Sequence, residues 1–371
     1  MKIAFDAKRA FHNTRGLGNY SRDTIRLLST FYPDNDYLLF NPSEKKNIVF
    51  PILSNTTVVT PTSIIGKTFP ALWRSRGMCK QLKQLNVDLY HGLSQELPIG
   101  IKGAGVKSIV TMHDAIFMRY PELYTSSYRA VFIQKNKYAC RVADHIIAIS
   151  EQTKRDIVKY FDADVNKVSV VYQGCNNIFR DPIKDEVKEN VRLKYNLPRN
   201  FLLNVGAIEK RKNTGLIIEA LHKSRIDIQL VIVGKPTDYI NELKTLIGKY
   251  KLENQILFLH NVATADLPAI YSLAEIFVYP SIFEGFGIPI LEALCTGTPV
   301  ITSSGSCFEE TGGEFTLYVN PNDSTALASL LANLHNNKSL LQLMSEKGLD
   351  YSGKFNDHSI ANQLFNAYMK L

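Results

Sequence analysis

The sequence predicts an α/β protein built from two doubly wound, Rossmann-like domains facing each other across a cleft. Three observations predict it. Short runs rich in β-branched residues alternate with amphipathic stretches along the chain, the pattern of parallel sheets covered by helices on both faces. The alternation restarts after a polar, proline-containing segment, residues 176–200. The chain has 371 residues, more than one hydrophobic core normally organises.

In the first half, strands are expected at Lys2–Phe5, Thr57–Val59, Asp88–His91, Ser108–Met112, His145–Ile149 and Val168–Val171. In the second half they are expected at Phe201–Val205, Gln229–Val233, Ile256–Leu259, Ile276–Tyr279, Val300–Thr302 and Thr316–Val319. Tyr20–Phe31, Ser127–Ala143, Gln152–Phe161, Thr214–Ser224 and Ala326–His335 carry helical periodicity between them. The expected domains are residues 1–175 and 176–355. Residues 356–371 read as a terminal helix with the option of packing back on the first domain. In such sheets ligands bind beyond the carboxyl ends of the strands.

Composition excludes several classes. With 45% hydrophobic and 21% charged residues, the chain is that of an ordinary globular protein. No run approaches the roughly 18 apolar residues of a membrane span. Met1–Asp6 reads as a first strand and not as a signal peptide. The five cysteines are scattered and never form C-x-x-C, which fits a cytoplasmic, reducing setting. The net charge of +8 is unevenly placed: residues 1–175 hold 24 Lys and Arg against 14 Asp and Glu, and the remainder 19 against 21. A basic first domain attracts phosphates of nucleic acids, lipid headgroups or a pyrophosphate-linked acceptor, or is simply a soluble surface. Nucleic acid is not expected as a partner, because no interleaved aromatics or known module accompany the charge. Peripheral contact with the inner membrane surface stays open.

The segment Tyr279–Thr302 carries the main chemical signal. A strand ends at Tyr279-Pro280, the loop Ser281–Gly287 follows, and Pro289 suits the first turn of a helix through Leu291–Leu294. Gly285 and Gly287, flanking Phe286 and followed by Ile288, let backbone N–H groups approach a ligand. The positive helix end suits a phosphate. Glu284 stands at the loop mouth and Glu292 about one turn inside the helix. Two carboxylates beside an anion-binding helix end make sense when each accepts bonds from neutral hydroxyls, one set on a sugar and one on a ribose. The plainer alternative is a strand–loop–helix turn with solvated acids.

The full string, continuing through Leu294-Cys295-Thr296-Gly297-Thr298-Pro299-Val300-Ile301, resembles the E-x7-E donor motif of the retaining family 4 glycosyltransferases, which have the GT-B fold. The resemblance implies that Glu284 contacts hydroxyls of the transferred sugar, that the backbone of Gly285–Pro289 wraps sugar and diphosphate, and that Glu292 binds the ribose.

The loop Asn204–Asn213 holds three consecutive cations, Lys210, Arg211 and Lys212, between a strand and a helix. It is similar to the family's V-G-x-x-E-x-R-K-[NG] segment, so Arg211 and Lys212 inherit the diphosphate. Such cations stabilise a leaving group without a metal. Some members carry a further Arg where this chain has Ala207, which shifts the burden to these two.

In the first half, Arg15-Gly16-Leu17-Gly18-Asn19-Tyr20 opens a helix. It lacks the third glycine of the dinucleotide fingerprint. It is similar to the family loop that closes over the donor phosphates, with Gly16 and Gly18 permitting the approach. Thr111-Met112-His113-Asp114 ends a strand and resembles the family's His-Asp pair. The resemblance gives His113 the role of contacting the transferred sugar or positioning the acceptor. Arg119-Tyr120-Pro121-Glu122 matches a segment frequent among mannosyltransferase-like members. Ser150–Asp156 matches as well, and reads equally as a capped helix start.

Asp34-Asn35-Asp36 and Asp162-Ala163-Asp164 read as turn acids rather than a metal pair, so no metal is expected. Phe69–Lys80 mixes apolar anchors with cations; it reads as a core helix with a basic outer face, ahead of an interfacial helix on anionic lipid.

The expected function is a retaining, metal-independent hexosyltransferase without a cofactor. Its donor is a nucleotide-diphosphate sugar, with GDP-mannose favoured. Its acceptor is a glycan or a lipid-diphosphate-linked glycan in surface polysaccharide synthesis. The alternatives are a glycoside phosphorylase, a sugar-nucleotide epimerase, and a nucleotide-sugar-binding protein without catalysis.

Overall fold

The computed structural model describes residues 1–43, 48, 50, 51 and 53–371. It divides into two compact units: Met1–Gly174 with Phe355–Leu371, and Cys175–Lys354.

Among the described residues the first unit holds seven strands: β1 Lys2–Asp6, β2 Asp36–Phe40, β3 Thr56–Val59, β4 Leu89–Gly92, β5 Lys107–Met112, β6 His145–Ala148 and β7 Val168–Val170. They pair in the order β3-β2-β1-β4-β5-β6-β7, all parallel, with β1 flanked by β2 and β4. Strands buried on both faces need continuous apolar runs, and Ile3–Phe5, Leu38–Phe40 and Ile146–Ala148 supply them. One core cluster runs from Ala4 and Phe40 through Trp73, Met78 and Leu82 to Val110, Ile146 and Ile157.

The second unit holds β8 Phe201–Val205, β9 Gln229–Val233, β10 Ile256–Leu259, β11 Ile276–Tyr279, β12 Val300–Ser303 and β13 Leu317–Val319. Their order is β10-β9-β8-β11-β12-β13, again all parallel. The core gathers Leu202, Ile232, Val278 and Ile301 from the sheet with Ile217, Leu221, Leu243 and Leu331 from the helices.

Several elements were not anticipated. The strand Asp36–Phe40 follows directly on the acids read as a turn; Asp36 is its first residue and lies at the end of the sheet away from the carboxyl edge. The polar segment at the expected domain boundary contains the helix Asp185–Lys194, which buries only Val191. The helices Tyr239–Tyr250 and Lys338–Ser352 were also unread.

The terminal helix Asp357–Tyr368 belongs to the first unit. It packs on the helix Gly16–Phe31, where Arg26 pairs with Asp357 at 2.7 Å, Tyr32 donates to Asn362 at 2.5 Å, and the Tyr32 and Phe365 rings stack at 3.8 Å. Among the described residues no helix is long and apolar enough to cross a membrane.

Candidate functional site

Each sheet reverses its strand order once, between β1 and β4 in the first and between β8 and β11 in the second. At such a switch point the chain leaves neighbouring strands in opposite directions and opens a crevice. Both crevices carry clustered charge.

In the second unit, the loops leaving β8 and β11 are zipped together. Ile282 N donates to Arg211 O at 2.9 Å, Asn213 Nδ2 to Pro280 O at 3.1 Å, and Arg211 NH1 to Phe283 O at 2.6 Å. This brings Glu284, Arg211 and Lys212 into one cluster. Glu284 is 9% exposed. Its Oε1 accepts from Lys212 Nζ at 2.6 Å, Ser281 Oγ at 2.7 Å and Tyr279 OH at 3.0 Å, and lies 2.8 Å from Arg211 NH1. Burial alone would raise its pKa; Lys212 and Arg211 outweigh that and hold it at about 2. Glu284 is therefore an ionised acceptor at neutral pH and cannot serve as a general acid.

Arg211 also binds Glu209 Oε1 at 2.7 Å. Lys212 lies 2.5 Å from Tyr279 OH and 5.1 Å from the centre of its ring. The cations read from the sequence as a diphosphate clamp thus brace the carboxylate and its loop as well.

Gly287 precedes the helix Ile288–Cys295 with φ +96, which disfavours any side chain, and a Cβ there would stand 3.2 Å from Ile290. Pro289 lies in the first turn. The Phe286 ring is buried in the second unit, and its carbonyl accepts from Thr311 Oγ1 at 2.5 Å. The ring of Phe286 therefore serves the core, and the role assigned to Phe286 falls to its backbone. On the helix, Glu292 Oε2 accepts from Tyr271 OH at 2.9 Å. Loss of hydration pushes the Glu292 carboxyl up to about 7, against the pull of that hydrogen bond.

In the first unit, a cavity of about 710 Å³ opens at the switch point. It is lined by Asp6 and Tyr90 from the two strands, by Lys8, Arg9 and Arg74, and by Glu96, with the helix Ser126–Val142 closing it through Lys135 and Tyr138. Arg74 Nε donates to Asp6 Oδ2 at 2.9 Å, and the same guanidinium pairs with Glu96. Arg9 Nε is buried without a hydrogen-bond partner among the described residues. Burial, then the charges of Arg74 and Arg9, lower the pKa of Lys8. These cations are crowded with too few anions, a condition that an anionic ligand relieves. No single sequence segment reveals this cavity, because its walls come from four separate stretches.

His113 lies just past β5, 5% exposed. Its Nε2 is 2.8 Å from Leu93 O. A carbonyl only accepts, so this nitrogen carries the proton and Nδ1 presents a lone pair. Burial lowers the His113 pKa to about 4; the Leu93 bond opposes this and Arg9 adds to it. The ring meets Tyr20 edge-on at 4.6 Å. Behind it, Tyr20 OH and His91 Nε2 both reach Thr111 Oγ1, at 3.0 and 2.8 Å.

Other predicted residues do structural work. A Cβ on Gly18 would stand 1.8 Å from Asn13 O, so its smallness is used by its own chain; a Cβ on Gly16 would point into open space. Arg119 binds both oxygens of Asp156 at 2.9 Å, tying two segments of the first unit together. Ser150 caps its helix by accepting from Thr153 N at 3.0 Å. Asp162 pairs with Lys137 at 3.1 Å, and Asp164 accepts from Asn166 N at 3.0 Å.

Residues 38–177 match the family model described as Glycosyltransferase Family 4, and residues 187–350 match Glycosyl transferases group 1. The O-antigen chain mannosyltransferase RfbU of Salmonella typhimurium is 33% identical over 225 residues, 61% of this chain and 60% of that protein. The O-antigen chain mannosyltransferase B of Escherichia coli is 25% identical over 389 residues, covering both chains fully. Among solved structures, Anabaena Alr3699/HepE in complex with UDP shares the fold, with a TM-score of 0.77 and 19% identity over all of both chains.

Proposed function

The chain belongs to the family 4 glycosyltransferases of GT-B fold, and we propose that it moves a hexose, mannose by preference, from a nucleotide-diphosphate sugar to a growing glycan with retention of configuration. The names of its O-antigen relatives support mannose as the sugar and an O-antigen chain as the product.

The observation that carries the reading is the convergence of Lys212 and Arg211 on Glu284 Oε1 at the switch point of the second sheet. The cluster sets two fixed cations, Arg211 and Lys212, against Glu284 and Glu209 beside the helix start at Gly287. A diphosphate meets Lys212, Arg211 and backbone N–H groups there. Glu284 Oε2 takes none of the bonds that hold Oε1, which suits it to accept from hydroxyls of the transferred sugar. Glu292, once ionised, accepts from the ribose. As the bond from the anomeric carbon to the diphosphate oxygen breaks, the negative charge developing on that oxygen is met by fixed cations. The acceptor hydroxyl forms its bond on the same face and passes its proton to the leaving phosphate. No metal is required by this arrangement.

The cavity of the first unit is assigned to the acceptor, a glycan carried on a lipid diphosphate at the inner membrane surface. His113, neutral with its Nδ1 lone pair, is assigned to positioning that acceptor.

A thermal-shift panel of GDP-, UDP- and ADP-sugars tests the donor. A ligand that binds the native state raises the melting temperature, and at equal concentration a tighter ligand raises it more, so GDP-mannose is expected to give the largest shift. Equal shifts for every nucleotide, or full transfer activity in both Glu284→Ala and Lys212→Ala, would contradict the assignment.

A further inference from the structure

The segment between Ile64 and Gln84 is folded against the usual logic of a surface helix. In the short helix Ile64–Thr68, capped by Ser63, the residue turned inward is Gly66. A Cβ on Gly66 would stand 3.1 Å from Trp73 Cδ1, so the glycine brings the helix close to that ring. The large side chains face water instead: Ile64 is 84% exposed, Ile65 66%, Phe69 59% and Leu72 48%. The next turns hold the base rigid. Trp73 and Met78 are buried, the Trp73 ring lies 5.9 Å from Phe40, and Trp73 Nε1 donates to Gln81 Oε1 at 3.0 Å. The apolar side chains are therefore presented on a fixed platform. This corrects the expectation of a core helix with a merely basic outer face.

Charge says what covers them. From Lys45 to Val87 the sequence contains seven Lys and Arg and no Asp or Glu. Arg74 is turned inward to Asp6 and Glu96, while Lys67, Arg76, Lys80 and Lys83 are exposed. A protein partner that buried such a face would need its own acids set among apolar residues. A bilayer with anionic headgroups supplies both chemistries at once: acyl chains for the apolar side chains and phosphates for the cations. Ala71, Arg74 and Ser75 of the same segment line the cavity, and Ile99, 49% exposed, continues the rim through its backbone bond to Ser75 O at 2.7 Å.

We infer that Ile64, Ile65, Phe69 and Leu72, ringed by Lys67, Arg76 and Lys80, form the face by which this protein docks on an anionic membrane surface, next to the cavity assigned to its acceptor. The inference rests on the lipid-linked acceptor of the proposed function for its purpose, and on exposure and charge for its location.

Co-sedimentation of the full chain with vesicles of phosphatidylethanolamine containing phosphatidylglycerol tests it, with phosphatidylcholine vesicles as the comparison. Wild type is expected to partition to the anionic vesicles and to be released as salt rises. Ile65→Asp with Phe69→Asp, at exposed positions, is expected to lower that partition at least tenfold while GDP-mannose still raises the melting temperature. Arg76→Glu with Lys80→Glu is expected to lower it as well. Equal binding of wild type and variants, or no binding of wild type, overturns the inference. So does a wild-type dimer that the apolar variant converts to monomer without change in vesicle binding, which would give the face to a second copy. Transfer to a soluble acceptor is measured alongside. In wild type, no transfer with docking intact strikes the proposed function alone, and transfer with docking absent strikes this inference alone.

Discussion

Lys212 Nζ stands 2.6 Å from Glu284 Oε1, and both groups lie among the least exposed charges of the second unit. Partners of this kind are interdependent: removing one leaves the other buried and less compensated. Glu284→Gln keeps the shape but leaves Arg211 and Lys212 facing each other. It is expected to cost about 3 kcal/mol of stability in urea unfolding, and to lower transfer at least about a hundredfold. Lys212→Met is expected to weaken donor binding and to raise the pKa of Glu284, with Arg211 limiting the loss of stability. If both variants unfold at the wild-type midpoint, the pair contributes nothing to the fold.

The same pair sets an acid limit. Glu284 ionises at its ordinary value of 4.5 when unfolded and at about 2 when folded. A depressed folded pKa means stability that is present above the unfolded value and is lost as pH falls towards the folded one. The stability gap between wild type and Glu284→Gln is therefore expected to be full above pH 4.5 and to close as pH approaches 2. Urea midpoints measured across that window check it. A gap that does not change with pH would refute the electrostatic account.

Glu292 has the opposite sign. Its folded pKa of about 7 lies above the ordinary 4.5, so the native state holds the proton that the unfolded chain has released. Its contribution to stability falls as pH rises from 4.5 to 7. A carboxyl that accepts from ribose hydroxyls does so best when ionised. Donor affinity is expected to rise as pH passes through about 7 and to lose this dependence in Glu292→Gln. Titration calorimetry with the nucleotide on both sides of that value decides.

The second unit's site was legible because it is local. The strand Ile276–Tyr279, its loop and the helix Ile288–Cys295 are one stretch of sequence, and the cation loop follows a neighbouring strand. What the sequence hid was Tyr279 and Ser281 as partners of Glu284, since a tyrosine at a strand end has many uses. The first unit's cavity was hidden for a different reason. Asp6, Arg74, Glu96 and Lys135 meet only through the fold. The strand Asp36–Phe40 was masked by the acids at its start, although the apolar run after them is buried. The helix Asp185–Lys194 buries so little that periodicity had almost nothing to report. Glycine spacing located the helix start at Gly16 but could not distinguish a ligand's approach from the chain's own.

Gly16 and Gly18 separate those two uses by experiment. Gly18→Ala would put a methyl 1.8 Å from Asn13 O, on backbone that cannot move alone, and is expected to cost more than about 2 kcal/mol. Gly16→Ala meets nothing within 4 Å at the first turn of the helix Gly16–Phe31, and is expected to be neutral or stabilising by a few tenths of a kcal/mol. If Gly16 is also where donor phosphates approach, its alanine variant keeps its stability while losing donor affinity. A stable Gly18→Ala would refute the packing account.

The terminal helix offers the last prediction. Tyr368 OH lies 2.6 Å from His91 Nδ1, and both residues are buried in the first unit. Burial lowers the His91 pKa to about 3, with His113 adding to the effect, so the ring is neutral near pH 7. One nitrogen then donates and the other accepts. Thr111 Oγ1 at Nε2 and Tyr368 OH at Nδ1 occupy both. Thr111 also meets Tyr20, whose ring holds His113 edge-on. Tyr368→Phe leaves a buried nitrogen unpaired and is expected to cost about 1–3 kcal/mol. Because the chain of contacts ends at His113, the variant is also expected to raise the acceptor KM more than the donor KM. His91→Phe removes the need for the hydroxyl, so Tyr368→Phe added to it is expected to cost much less than alone. Additive losses in that double-mutant cycle would show that the two residues act independently.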